Sequence, residues 1–169
     1  MELFLTPNGR IDQPTYWRAV LIIFAVSSVI TVLSIYVTGI IGLLSFGVIW
    51  AWIAVHAKRF HDNGKSGWYM LLLILVAAIL NFILGGILPS LFGFDQAGYN
   101  QEVSEAMNNG GFAGMMEVIN EGQRATMIPS ILTTLIVTGI LGAIMGVFKT
   151  DPNDNQYGPG PAGASVAFT

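Results

Sequence analysis

His61 and Asp62 are the adjacent pair whose types could do chemistry, inside the stretch KRFHDNGKSGW at 58–68. A histidine beside a carboxylate can act as a general base or ligate a metal. Ser66 and His56 are the nearest further candidates. Their spacing argues against both. Nucleophilic triads assemble from distant segments, and a Ser, a His and an Asp pressed into six residues do not reproduce that geometry. Five residues turn about 140° on a helix, so His56 and His61 would not share a face to hold a metal. The chain has no cysteine, which removes thiolate ligands, cysteine nucleophiles and disulfides. It has no phosphate loop and no H-E-x-x-H helix. An enzyme using His61 and Asp62 is therefore the minor alternative. No catalytic, cofactor-binding or metal-binding residue is assigned, and no cofactor is expected.

A structural reading uses more of the same residues. Asn63-Gly64 suits a helix C-cap followed by a turn with positive φ. Ser66 can cap the helix that follows. Lys58, Arg59 and Lys65 can orient the chain and meet anionic lipid head groups, each worth about 1 kcal/mol near the surface.

The elements that must position these residues are set by composition. Of 169 residues, 53% are hydrophobic and only 10% charged, against about 25% charged in soluble domains. With a mean hydropathy of +0.65, the chain falls in the membrane class. No nucleic-acid partner is implied. The spans are read at 19–38, 40–57, 68–88 and 127–148, each close to the ~20 residues that cross a ~30 Å hydrocarbon core. Before them, residues 1–18 carry no apolar core or cleavage site of a signal peptide. Asp12 and Pro14 mark a helix start. A cytoplasmic loop at 58–67, an external segment at 91–124 and a cytoplasmic tail at 149–169 complete a single membrane domain over 1–169. The third span is expected to end at Pro89.

Polar residues in the spans are few and neutral. Ser27, Thr31, Ser34 and Thr38 share one face, and Asn81 lies mid-span; both features read as helix packing and inter-helix glue. Ser130, Thr134, Thr138, Gly142 and Gly146 repeat every four residues, a stripe for close helix contact along the whole fourth span. The four tryptophans, Trp17, Trp50, Trp52 and Trp68, read as an aromatic belt at one membrane face. In the external segment, Phe112, Met115, Met116 and Ile119 form an amphipathic stripe for a short helix buried against the bundle. The fold expected is an all-α integral membrane protein, a four-helix bundle with short amphipathic helices outside.

Four spans put both termini on one side. Arg10, Arg18, Lys58, Arg59, Lys65 and Lys149 lie there; Arg124 and five carboxylates lie opposite. The positive-inside rule then makes both termini cytoplasmic.

The motifs GRIDQPTYW, AKRFHDNGKSGW and PNDNQYGPGP occur in that order. Together they resemble the bacterial inner-membrane family called domain of unknown function 805. The matching residues are Gly9, Arg10, Tyr16 and Trp17; Arg59, His61, Asp62, Gly64, Ser66, Gly67 and Trp68; and Asn155, Tyr157, Gly158 and Pro161. Lys58, Phe60 and the lack of a proline late in the second span depart from that pattern. The resemblance implies a four-helix inner-membrane protein, with no established activity. These motif residues are expected to pack as a cytoplasmic clasp, with Asp62 pairing Arg10 or Arg59 and His61 reaching the N-terminal motif or the tail.

The function expected is a non-enzymatic accessory, assembly or partner-binding component of the bacterial envelope. Its partners would be the bilayer and a membrane protein or second copy held at small-residue faces. The alternative is a small transporter or channel for a neutral solute, since charged solutes commonly leave a charge at midplane and none is found.

Overall fold

A computed structural model describes residues 2–160 other than Thr38. A four-residue helix, α1 (Glu2–Leu5), is followed by α2 (Gln13–Tyr36). The α2 start is specified locally: the Asp12 carboxylate accepts the Thr15 N–H at 2.9 Å, and proline lies in the first turn. A 3-10 stretch, Gly39–Leu44, leads into α3 (Ser45–Asp62). The end of α3 is a Schellman turn. Gly64 adopts φ +67°, its N–H reaches the His61 carbonyl, and the Lys65 N–H reaches Phe60. Ser66 then caps a 3-10 turn, Gly67–Tyr69, that opens α4 (Met70–Leu91). The chain continues as α5 (Gln96–Ala125) and α6 (Met127–Gly146).

Four segments are long and apolar enough to cross a membrane: Gln13–Tyr36, Gly39–Asp62, Gly67–Leu91 and Met127–Gly146. The protein is an all-α, multi-pass membrane bundle. Only 6% of the most apolar window of Gly67–Leu91 is buried inside the protein, so that surface needs lipid or another protein rather than water.

Several boundaries differ from the sequence expectation. The α3 helix does not stop at 57; residues 58–62 are helical, and the expected 58–67 loop shrinks to 63–66 before the Gly67–Tyr69 turn. Charge normally marks the end of a span, but Lys58, Arg59 and Asp62 are buried and bonded, so the helix has no reason to end there. The α4 helix runs through Pro89 to Leu91. Proline costs only its own N–H bond to the preceding turn, and the last residues close on neighbouring carbonyls instead.

Packing is uneven along the bundle. α2 packs on α3 and α6, and α4 chiefly on α6. Much of the core, including Tyr16, Ala19, Val20, Val55, Leu73, Leu141 and Met145, sits where α2 and α4 begin and α3 and α6 end. The expected stripe on α6 is used only there. Gly142 faces the Trp17 indole, and Gly146 accepts from Gln13 Nε2 at 3.3 Å. Thr134 and Thr138, earlier in the stripe, line a cavity instead, and Gly139, outside the stripe, faces open space.

Between α4 and α6, α5 folds back on itself at Gly111, whose φ of 62° and ψ of −154° suit only glycine. Tyr99 then lies against Gly122, and Gly114 against the Ala106 carbonyl. Phe112 stays 68% exposed, so the expected stripe is not buried on the bundle; the hairpin closes on its glycines instead.

Candidate functional site

The polar centre of the molecule is built on the last two turns of α3. Arg59 and Asp62 are three residues apart and share a face, so the guanidinium Nη1 donates to Asp62 Oδ2 at 2.6 Å. The other carboxylate oxygen faces the N-terminal segment. Arg10 donates to Asp62 Oδ1 through Nε at 3.1 Å and Nη2 at 3.0 Å. Arg59 and Asp62 are almost wholly buried. Two cations on one buried anion leave excess positive charge, and backbone carbonyls supply the balance. Arg10 donates to the carbonyls of Asn153 at 2.6 Å and of Asp151. Arg59 donates to the Phe148 carbonyl and to Thr150 Oγ1 at 3.0 Å. Those acceptors lie on the segment after α6, so the two arginines sew the N-terminal segment, α3 and the tail together.

Lys58 belongs to the same system. Its ammonium donates to the carbonyls of Glu2 at 2.5 Å and Leu3 at 3.1 Å, tying α1 to α3. Lys58 and Arg59, expected to meet lipid head groups, are 5% and 0% exposed and occupied by protein acceptors. Lys65 instead lies 4.2 Å above the Phe148 ring, a cation–π contact.

His61 stands on the neighbouring face. Its Nδ1 is 3.0 Å from the Gly9 carbonyl. A carbonyl only accepts, so Nδ1 carries the proton and Nε2 keeps a lone pair. The ring stacks on Tyr157 at 3.9 Å and 5°. Gly67 leaves room for it: a Cβ there would stand 3.0 Å from Nε2. The tail is shaped to deliver Tyr157. Asn155 and Gly158 exchange backbone bonds at 3.1 and 3.0 Å, with Gly158 at φ 140°. The Asn155 side chain accepts from the Tyr157 N–H and donates to the His61 carbonyl, at 2.9 and 3.0 Å.

Tyr16 lies deeper, fully buried, with its hydroxyl 3.1 Å from His56 Nε2. His56 Nδ1 donates to the Trp52 carbonyl at 2.8 Å, so Nε2 accepts from the tyrosine. The His56 ring stacks on Trp52 at 3.9 Å. His56 is therefore interior and Trp52 partly buried against the core, whereas Trp68 is 77% exposed and Trp50 half-exposed.

Of the motif residues, Arg10, Arg59, His61, Asp62, Tyr157 and Gly158 meet in one cluster; Gly158 offers its carbonyl to Arg10 at 3.5 Å. Tyr16 borders it, with the Arg59 guanidinium 6.0 Å from its ring. Trp17 is elsewhere, against α6, and Gly64, Ser66 and Gly67 shape the turn. Pro161 lies outside the described residues. His56, Lys58, Phe148 and Thr150 are participants that the sequence reading did not assign. Among the described residues, no group of three or more His, Cys, Asp or Glu side chains could hold a metal ion.

Fold and cluster define an all-α, multi-pass membrane protein whose two terminal segments are locked to one end of its second span. The family described as "Protein of unknown function (DUF805)" matches residues 4–159, and the chain belongs to it. No curated protein and no solved structure matches the chain.

Proposed function

We propose that this protein is a non-enzymatic accessory, assembly or partner-binding component of the bacterial inner membrane, with both termini cytoplasmic. The observation that carries the non-enzymatic reading is the commitment of the His61–Asp62 pair to the fold. Each Asp62 oxygen holds an arginine, the Nδ1 of His61 is spent on Gly9, and Tyr157 covers one face of its ring. A general base needs a lone pair that can reach substrate. The one left, on Nε2, faces Gly67 at the edge of a largely apolar cavity that His61 and Tyr157 help to line, with no charged side chain around it to take part in proton transfer. The orientation rests on the six Lys and Arg residues assigned to the clasp side, Arg10, Arg18, Lys58, Arg59, Lys65 and Lys149, against Arg124 on the other. The open apolar face of α4 supports a membrane-protein partner or a second copy. Lys65 is the residue of the original three left to favour anionic lipid.

Purification from native membranes in mild detergent tests this reading. It predicts a stoichiometric partner or a homo-oligomer of defined size. A solitary monomer, with a deletion phenotype that His61→Ala reproduces at normal abundance, would contradict it. A second reading, a transporter of a neutral solute, is favoured by a cavity at mid-span that no charged residue lines. Uptake of glycerol by proteoliposomes above the lipid leak would select it.

A further inference from the structure

All four spans line a cavity of about 340 Å³ near the middle of the bundle. Hydrogen-bonding side chains are few in these helices, yet several converge on it: Ser27 from α2, Trp52 from α3, Asn81 from α4, Thr134 and Thr138 from α6. Ser27 and Thr134 are satisfied within their own helices, donating to Ile23 at 2.7 Å and Ser130 at 3.0 Å. The others are not. Asn81 donates one amide proton to Ala77 at 2.8 Å rather than bridging to another helix. Its second proton and its oxygen have no partner among the described residues, and neither do the Trp52 indole N–H and the Thr138 hydroxyl. Unpaired donors in hydrocarbon cost free energy that a ligand can recover.

The lining specifies that ligand. No charged residue borders the cavity, so the ligand is neutral. An indole N–H, an amide N–H and a hydroxyl face one free amide oxygen, so the ligand chiefly offers acceptors. The volume is about twice that of the engineered 150 Å³ cavity that holds benzene, enough for a substituted ring but not for a whole lipid. Entry is from the side. α3 meets the α4 arm mainly at the Gly67–Tyr69 turn, and the seam beyond it faces the bilayer.

We propose that this cavity binds a neutral, lipid-soluble molecule with a carbonyl-bearing ring and a hydrocarbon chain, the chemistry of a quinone. The ring sits among Trp52, Asn81 and Thr138, and the chain leaves between α3 and α4. The proposal stands independently of the accessory reading.

Titration of the full chain in phosphatidylcholine nanodiscs with decylubiquinone, read by tryptophan fluorescence, tests it. Of the four tryptophans, Trp52 is the one that lines the cavity. The expected result is saturable quenching that decylbenzene, equal in chain length but without carbonyls, fails to displace. Asn81→Leu raises half-saturation at least tenfold. Thr138→Val, which preserves volume, raises it at least threefold and covers the case in which the leucine variant does not fold. Quenching that only tracks the quinone content of the bilayer overturns the proposal. So does equal competition by decylbenzene, or half-saturation unmoved in both variants. Saturation seen only after a co-purifying polypeptide is stripped away assigns the cavity to a partner's helix, and overturns it too.

Discussion

Asp62 is one carboxylate between two buried arginines, and His61 beside it is held by a proton on one side and a ring on the other. The two roles separate by substitution. His61→Phe keeps the stack on Tyr157 and loses the bond to Gly9, whereas His61→Ala loses both. Aromatic pairs contribute about 0.5–1.5 kcal/mol beyond area burial. In detergent unfolding the phenylalanine variant is therefore expected to keep at least about that much more stability than the alanine variant, which also loses the buried ring area. Equal losses would mean that the stack contributes nothing. At this scale the sequence was informative only in part. Arg10, His61 and Asp62 stand out by type, and the pairing of Asp62 with an arginine is readable from opposite charge. The acceptors that balance the cations are not. Asp151, Asn153, Phe148, Glu2 and Leu3 act through backbone carbonyls, which every residue has. For the same reason Lys58 read as a lipid-facing cation until the position of α1 was known.

Helix existence was legible because four apolar stretches of spanning length leave little choice. Helix ends were less so. Hydropathy falls at Lys58, but the backbone does not leave the helix until Gly64 supplies a left-handed turn. Face assignment was harder still. The every-fourth-residue stripe on α6 marks small residues without saying which of them meets a neighbour, and glycines in the same helix differ sharply. A Cβ on Gly142 would stand 2.5 Å from the Trp17 indole, whereas one on Gly139 meets nothing within 4 Å. Gly142→Ala is therefore expected to destabilise by about 1–3 kcal/mol through overpacking. Gly139→Ala, in the same helix, is expected to leave stability within about 0.5 kcal/mol of the parent, the usual range for exposed sites. Thermal unfolding of the two variants side by side checks this. Equal effects would show that the indole contact does not set the cost.

Across the whole molecule, much of the packed core lies at the end where the terminal segments meet α3, and the mid-span region borders an open cavity. The clasp thus holds together the better-packed end of the bundle. This arrangement was only partly visible in advance. The order of three motifs implied that the chain ends meet the loop, but the cavity depends on how far the helices separate, which no local pattern encodes. The orientation can be read directly because the chain lacks cysteine. A cysteine at exposed Ser104 on α5 is expected to react with an impermeant maleimide in spheroplasts, and one at exposed Gln156 only after lysis. The reverse pattern would invert the topology. The claim that the N-terminal segment is tied to α3 through one buried carboxylate is tested most directly by a double-mutant cycle on Arg10 and Asp62, 52 residues apart. Asp62→Ala alone leaves two buried cations without their anion and is expected to cost about 3–5 kcal/mol. With Arg10→Ala added, the account predicts a coupling of about 1–3 kcal/mol in reversible detergent unfolding. Losses that add to within about 0.5 kcal/mol would contradict it.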